Sequence, residues 1–265
     1  HVLRCFENGN ITHVDGSVDP VRDKGIIDTE LQLKDLETIE NRLSKTQKQA
    51  AVGGDKAAKR QVELLLHYKE VLEQGLSART VELEKEDRKL VADLNLLTDK
   101  PVLYVCNVDE KSAVTGNAHT EAVRAAIAGE KAEMLIVAAA TEADIAELEE
   151  YEERQMFLEE MGLKESGVAR LIKAAYKLLN LETFFTTGAD ETRAWTYSKG
   201  MKAPQTAGII HTDFEKGFIR AEVIKYDDYV TLGSEKACRD VGRIGIEGKE
   251  YIVQDGDIMH FLFNV

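Results

Sequence analysis

Three near-continuous apolar runs, at residues 2–6, 101–106 and 134–138, predict buried β-strands. Strands covered on both faces have this pattern in parallel α/β sheets, where a helix connects each strand to the next. The helical pattern at residues 120–128 supplies such a crossover between the second and third runs. We therefore predict a doubly wound parallel sheet. Because its first strand would begin at residue 2, we also expect the natural chain to extend further upstream.

A long helical segment separates the first two predicted strands. Apolar residues recur at heptad-like spacing from residue 28 to about residue 50 and again over residues 62–76, with Gly53, Gly54 and Asp55 between them. This pattern predicts two helices joined by a tight turn. Because the apolar stripe is narrow and charges of both signs fill the other faces, it favours an antiparallel coiled-coil arm over a helical hairpin within a globular core. The apolar positions are Leu36, Ile39, Leu43, Ala50, Val62, Leu65, Leu72 and Leu76.

Beyond residue 180 the pattern changes to short alternating segments separated by Gly-rich turns. Residues 217–223 and 258–263 are predicted strands, and residues 235–241 a short helix. The chain is thus divided into a first part of the sheet domain (1–30), an inserted arm (31–97), the second part of the sheet domain (98–180) and a small β-rich domain (181–265).

Composition narrows the class of protein. The chain has 265 residues, of which 43% are hydrophobic, so it can bury more than one core. It contains neither a run of 18 apolar residues nor the regions of a signal peptide, and we expect a soluble, cytoplasmic protein without a membrane partner. Cys5, Cys106 and Cys238 lie far apart and outside metal-ligand spacing, so each is predicted to be a small buried residue, with a redox role left open.

The net charge of −14 is unevenly distributed. Residues 121–160 carry twelve acidic side chains against three basic ones, so this stretch is not expected to bind phosphate. Neither residues 31–95 nor residues 183–265 have an excess of basic side chains, so bulk charge does not predict nucleic-acid binding, and DNA is not an expected partner.

Candidate chemistry lies where the second and third predicted strands end, because ligands of open α/β sheets bind beyond the carboxyl ends of strands. The second run continues into Asn107, Val108, Asp109 and Glu110. P-loop GTPases have Asn-Lys-x-Asp at this point, and here Val108 stands for the Lys and Glu110 for the Asp. Misplacing a buried polar partner costs about 1–3 kcal/mol, enough to reverse a preference between purines. Alternatively, Asn107 only caps the following turn and Glu110 is solvated.

The third run ends in Ala138, Ala139 and Ala140, whose small side chains let backbone amides approach a base. A purine site requires this strand end and the one at Asn107 to converge on a single slot.

Longer motifs give the whole chain a resemblance to a known family. Residues 5–8, 53–56, 107–110 and 142–148 match it, and the C-terminal matches at residues 193–196, 203–205, 211–221 and 255–257 are the most specific. On these motifs the sequence is similar to the YchF or Obg-like ATPases.

The resemblance implies an α/β fold: a partial P-loop G domain with a parallel sheet, an inserted antiparallel coiled-coil arm and a C-terminal β-grasp TGS domain resembling ubiquitin. It also implies ATP as the preferred nucleotide, with Mg²⁺. Family members associate with the ribosome, so the large subunit and ribosomal RNA are implied partners of a monomeric translation or stress-response factor. By this likeness, adenine would be contacted by Asn107, Val108, Glu110, Ala138, Ala139 and Ala140.

The sequence departs from the family in one respect. It contains no G-x-x-x-x-G-K-[ST] motif to cradle the β- and γ-phosphates, and the switch segments and the Asp-x-x-Gly motif, which bind Mg²⁺ in the family, are also absent. We therefore expect no catalytic residue or metal ligand in this chain and no ATP hydrolysis by it alone. A non-enzymatic ribosome or RNA adaptor and a GTP-specific Obg-type switch remain alternatives.

Residues outside the strand ends are weaker candidates. His211 could be a general base oriented by Asp213 or Glu215, although a role in shaping its loop or in contacting a partner is favoured because no nucleophile adjoins it. Trp195 is predicted to pack in a core, with an interface role second. A basic face that could touch ribosomal RNA is predicted from Lys199, Lys202, Lys216, Arg220 and Lys225.

Overall fold

The computed structural model describes residues 1–51, 55–188 and 191–264. The chain forms two compact units, His1–Ile172 and Lys173–Val265. In the described part of the chain, no helix combines the length and the apolar character needed to cross a membrane.

The first unit contains the predicted parallel sheet. Its strands β1 (Val2–Arg4), β2 (Leu103–Asn107) and β3 (Glu133–Val137) are parallel and lie in the order β1-β2-β3. The crossover between β2 and β3 contains a helix, α4, at Ala118–Ala126. Asn117 caps it by accepting hydrogen bonds from the first-turn amides. The core on this sheet includes Leu3, Cys5, Tyr104, Cys106, Val108, Val123, Ile127 and Ala138.

The arm is built on two helices, α1 (Pro20–Ala51) and α2 (Lys56–Glu73). Helix α1 begins at Pro20, eight residues before the predicted start. Besides α2, it contacts β1 and α4. Gln32 donates to the Gly75 carbonyl just past the end of α2, so the turns before Gln32 extend beyond α2 and lack the heptad pattern of the rest. Asp55 caps α2 through the N–H groups of Ala57 and Ala58, whereas Gly53 and Gly54 of the predicted turn lie outside the described residues.

The paired helices share their core with the segment that follows them. Residues 78–96, which include the short helix α3 (Lys85–Val91), contribute buried apolar side chains to the α1–α2 interface. The arm is therefore three-sided where this segment packs. Its core contains Ile39, Leu43, Leu64, Leu65, Tyr68, Leu72, Ala78, Val81, Val91, Leu94 and Leu96.

Three helices follow β3: α5 (Ala139–Glu147), α6 (Tyr151–Glu160) and α7 (Gly167–Leu178). The acidic side chains of α6 face solvent, and Leu158 is its buried anchor. The acidic side chains of α6 therefore form an exposed helix surface.

The second unit is a five-stranded mixed sheet. Its strands are β4 (Leu181–Thr187), β5 (Thr192–Ser198), β6 (Phe218–Ile224), β7 (Ile244–Glu247) and β8 (Ile258–Phe263), in the order β5-β4-β8-β6-β7. The β4–β8 pair is parallel and the other pairs are antiparallel. This confirms the predicted β-rich domain.

Among the described residues, four helices follow β5, and α8 packs on the core of the sheet. They are α8 (Ala203–Ile210), α9 (Thr212–Lys216), α10 (Tyr226–Leu232) and α11 (Glu235–Asp240). The last of them confirms the predicted short helix.

Candidate functional site

The ends of β2 and β3 meet at the carboxyl edge of the parallel sheet. Asn107 and Val137 are the last residues of the two strands and are paired with each other. One residue further on, the Val108 N–H donates to the Val137 carbonyl at 2.9 Å. The Asn107 Oδ1 atom then accepts a hydrogen bond from the Ala139 N–H at 3.0 Å. The two strand ends that the sequence singled out therefore adjoin one another and are linked by a side chain.

The six predicted base contacts differ in exposure. Glu110, Ala139 and Ala140 are exposed and Asn107 is half-buried, so solvent reaches all four residues. Val108 and Ala138 are each only 4% exposed and belong to the core of the sheet. A ligand at this edge could therefore reach their backbone more readily than their side chains.

Asp109, rather than Asn107, caps the turn after β2. Residues Glu110–Ser112 form a short 3₁₀ turn, and the Asp109 carboxylate accepts from the Ser112 N–H at 3.0 Å. This leaves Asn107 free to cross to Ala139, with both hydrogens of its Nδ2 group unpaired among the described residues. The Glu110 carboxylate likewise has no partner there and faces solvent.

Helix α5 begins at the same edge without a capping side chain, because its N-cap residue is Ala138. The first N–H groups of a helix have no partner within the helix. Here the Ala139 N–H is satisfied by Asn107, and the following first-turn amides point out of the helix end. Backbone donors and the Asn107 side-chain amide thus meet at this edge, and the exposed carboxylate of Glu110 follows three residues after Asn107 along the chain. Such groups can pair with the edge of a heterocyclic base.

Sequence reasoning missed the residues behind this edge. The Glu142 carboxylate, in the first turn of α5, accepts hydrogen bonds from the N–H groups of Gly167 and Val168. The position of Glu142 five residues after the end of β3 marks a possible helix-end contact, but its partners lie 25 and 26 residues away and have no signature of their own.

The implied Mg²⁺ finds no fitting ligands in the described residues. Among these residues, the one group of potential ligand side chains that lie close together is His13, Asp15 and Asp23. Arg22 already pairs with both carboxylates, at 3.4 Å from Asp15 and 3.0 Å from Asp23. Magnesium also prefers an all-oxygen shell, so we derive no chemical step through a metal ion.

A softer cation fits this group no better. His13 Nδ1 accepts from the Asp15 N–H at 3.2 Å, so the ring proton lies on Nε2, which donates to Asp23 at 2.8 Å. A metal on Nε2 would leave the ring without any proton, whereas ligating histidines normally donate from the other nitrogen. The cluster is a closed network of polar contacts that joins the preceding loop to the first turn of α1.

The two candidate functional residues of the second unit, His211 and Trp195, have structural roles. His211 caps α9, its Nδ1 accepting from the Asp213 N–H at 3.2 Å, which agrees with the loop-shaping interpretation. Trp195 packs against the core of the unit, and its Nε1 donates to Thr186 at 2.9 Å. The Arg193 guanidinium lies 4.1 Å from the centre of its ring.

The predicted basic face is largely neutralised. Lys199 pairs with Glu182 at 2.9 Å, Lys202 pairs with Glu250, and Lys225 pairs with Asp257. The sign of the local charge therefore gives no support to an RNA surface at these three lysines.

These features define an α/β protein with a small parallel sheet, a long helical arm and a C-terminal mixed β domain. Similar curated proteins include the ribosome-binding ATPase YchF of Bacillus subtilis (strain 168), 52% identical over all of this chain and 72% of the relative's length. YchF of Escherichia coli O157:H7 is 48% identical over the same shares. Obg-like ATPase 1 of Rattus norvegicus is 44% identical and is covered over 67% of its length. The chain belongs to the YchF/Obg-like ATPase family.

Two further comparisons agree with this assignment. The YchF-GTPase_C family model, described as a protein of unknown function (DUF933), matches residues 181–264. The solved structure of the Schizosaccharomyces pombe YchF GTPase superposes with a TM-score of 0.86 at 33% identity, covering 98% of this chain and 71% of that one. The second unit therefore corresponds to the C-terminal TGS domain of the family.

Proposed function

We propose that this chain contains the adenine-recognition edge of an ATP-binding, cytoplasmic, monomeric protein, with the base held between Asn107 and the start of α5. The observation that supports the proposal is the Asn107 Oδ1 to Ala139 N–H hydrogen bond, which links the two adjacent strand ends between which the proposed slot would lie. The naming of the relatives as ATPases supports a nucleotide as the ligand.

The side chains of Asn107 and Glu110 would hydrogen-bond to different positions of the purine. The Asn107 Nδ2 group can donate to N7, which adenine and guanine share, so Asn107 would anchor either purine. The two bases differ at position 6, where adenine has an amino donor and guanine a carbonyl acceptor. An ionised Glu110 only accepts hydrogen bonds, so it would favour the amino group of adenine at that position.

The direct test is titration of the isotope-labelled chain with adenosine, ADP, guanosine and GDP, followed through backbone amide resonances. As adenosine is added, the backbone amide resonances of Asn107, Ala139 and Ala140 should be the first to shift. Replacement of Asn107 by Ala should weaken adenosine binding about tenfold or more, because it removes a donor and the link to Ala139. Asn10→Ala, at an exposed loop residue, is the matched control.

Two results would defeat this proposal. Adenosine could leave the amides of the slot unchanged, or Asn107→Ala could bind as tightly as the parent chain. Stronger shifts with guanosine than with adenosine would instead favour the GTP-specific alternative.

Hydrolysis is proposed to require phosphate-binding elements that the 265-residue sequence does not contain. Phosphoryl transfer depends on positioning and charge stabilisation around the γ-phosphate, which the adenine slot does not provide. We expect this chain to release phosphate from ATP no faster than buffer does. Fusion to the N-terminal segment of the Bacillus subtilis relative should restore ATP hydrolysis, and Asn107→Ala in the fusion should raise KM.

Ribosome association is the second part of the proposal, and the relatives' name, ribosome-binding ATPase, supports it. Co-sedimentation with purified ribosomes and with separated subunits, at increasing salt, would measure it, and we expect the large subunit to retain the chain. Binding that is unaffected by ADP and by Asn107→Ala, together with no nucleotide binding, would favour the adaptor alternative.

A further inference from the structure

The first turn of α7 packs directly behind the start of α5. The Gly167 N–H donates to Glu142 Oε1 at 2.6 Å, and the Val168 N–H donates to Glu142 Oε2 at 3.2 Å. A carboxylate in this position satisfies two amides that the helix cannot pair internally and faces the positive end of the helix dipole. Both carboxylate oxygens of Glu142 are thus committed to α7.

Two further contacts of the same turn reach the end of β3. A Cβ atom at Gly167 would lie 2.7 Å from Glu142 Oε1 and 2.9 Å from Val137 Cγ1, so the backbone of α7 approaches closer here than any other residue type allows. The Arg170 side chain donates to the Ile136 carbonyl at 2.9 Å. Residues 136, 137 and 142 flank Ala138, Ala139 and Ala140 on both sides along the chain.

We propose that Glu142 is a positioning residue for the purine slot, setting the place of the Ala139–Ala140 amides through its contact with α7; this rests on the proposed function. Helix α5 has no capping side chain of its own. Among the described residues, its start is held by Asn107 in front and by the Glu142–Gly167 contact behind. Removing the rear contact lets the first turn of α5 move relative to Asn107.

The experiment compares three substitutions for their dissociation constants with adenosine and ADP and for the unliganded amide resonances of Ala139 and Ala140. Glu142→Ala removes both hydrogen bonds, Glu142→Gln keeps one acceptor, and Gly167→Ala keeps the carboxylate but displaces it. Adenosine binding should weaken about tenfold for Glu142→Ala, with Glu142→Gln between it and the parent. Gly167→Ala should resemble Glu142→Ala.

Glu147→Gln is the matched control, because Glu147 is an exposed residue near the other end of the same helix. It should leave both the binding and the two amide resonances unchanged. Urea unfolding identifies any variant whose loss of binding follows from loss of fold, and Glu142→Gln, being nearly isosteric, is the variant expected to stay folded.

The outcomes separate the two proposals. If the parent chain binds adenosine at the slot and the folded Glu142 variants bind it equally well, Glu142 is a structural contact only and the positioning role is overturned. If the parent chain itself does not bind adenosine, the proposed function fails first, and the positioning role fails with it. Weaker binding accompanied by shifts of the Ala139 and Ala140 amides before ligand is added supports the positioning role.

Discussion

Asp35 on α1 receives two hydrogen bonds from Thr98, one from its N–H and one from its hydroxyl, each at 2.7 Å. The Leu97 N–H adds a third at 2.7 Å. Asp35 is 2% exposed, so the chain returning from the arm is tied to α1 by a buried carboxylate just before it enters β2.

Replacement of Asp35 by Ala should therefore destabilise the first unit strongly. It leaves the buried N–H and hydroxyl of Thr98 and the partly buried N–H of Leu97 without their acceptor, which should cost about 3–5 kcal/mol in the free energy of unfolding. Asp35→Asn retains one acceptor oxygen and should cost less. Urea unfolding measures both, with Asp144→Ala, at an exposed position of α5, as the control. If Asp35→Ala and the control had the same free energy of unfolding, the hydrogen bonds to Asp35 would contribute nothing to stability.

The next prediction concerns the pH dependence of stability through Glu130. Burial alone would raise the pKa of Glu130, but hydrogen bonds from Lys24 and Tyr104 outweigh it, so the pKa lies below its ordinary value of 4.5. A carboxyl whose pKa is lower in the folded state stabilises the fold above its unfolded pKa and loses this effect as pH falls through the folded pKa. The stabilisation should thus be complete at pH 6–7 and should decline below about pH 4.5.

Glu130→Gln isolates this contribution. The unfolding free energy of the parent chain minus that of the variant should be positive at pH 7 and should shrink as the pH is lowered towards 3. Glu121→Gln, which breaks only an exposed pair with Arg124, should give a small difference at both pH values. A Glu130→Gln difference that grows on acidification would contradict the assigned direction of the shift.

The contacts of Asp35 also show which features of the fold cannot be predicted from the sequence. The strands are predictable because residues 101–106 and 134–138 are apolar on both faces, a signal that lies within each segment. The partners of Asp35 lie more than 60 positions away, and nothing local distinguishes this Asp from the solvated acids beside it. The convergence of Asn107 with Ala139 was predictable because parallel topology brings successive strand ends together.

Burial was harder to predict than position. The sequence places Val108 at the strand end but does not tell whether its side chain points into the core or towards a ligand, because one residue beyond a strand the alternation of faces no longer holds. The observed start of α1 at Pro20 differs from the predicted start for a related reason, since the turns that extend beyond α2 do not carry the apolar stripe of the paired helices.

The cysteines give a prediction about chemical reactivity. Cys5, Cys106 and Cys238 are fully buried, and a hydrogen bond with Cys106, together with burial, raises the pKa of the Cys5 thiol. Alkylation by iodoacetamide requires an accessible thiolate, so labelling of the native chain should be at least about 100-fold slower than in urea. Ala146→Cys, at an exposed position of α5, should be labelled quickly and serves as the positive control. Rapid labelling of Cys5 or Cys106 in the native chain would show that the sheet opens.

In the second unit, Asp257 is fully buried and accepts hydrogen bonds from Lys225 and from the Tyr251 hydroxyl, each at 2.6 Å. Asp257→Asn should lower the stability of this unit by about 2–3 kcal/mol, because a charge-assisted network becomes partly unpaired. The control is Asp240→Ala at the exposed end of α11. Burial would lower the pKa of Lys225, but its bond to Asp257 raises it above 10.5. The difference between parent and Asp257→Asn should accordingly persist up to about pH 10 and decline at higher pH.

The last prediction distinguishes the effects of Val108 and Glu110, the two residues at which the proposed slot differs from the Asn-Lys-x-Asp motif. Changing both to the guanine-type pattern would insert Lys at Val108, which is 4% exposed and packed in the sheet core. The ammonium group would have to reach solvent past that core, so Val108→Lys should destabilise the first unit whatever its effect on binding.

Glu110 is exposed and lacks a described partner, so Glu110→Asp can be made without this cost. Because the shorter side chain withdraws the carboxylate from its present position, Glu110→Asp should weaken adenosine binding about three- to tenfold and narrow the preference over guanosine. Glu147→Asp on α5 controls for the loss of a methylene from an exposed Glu. If Glu110→Asp leaves the ratio of the adenosine and guanosine dissociation constants unchanged while Asn107→Ala still weakens both, purine selection resides in the backbone of α5 and not in the carboxylate.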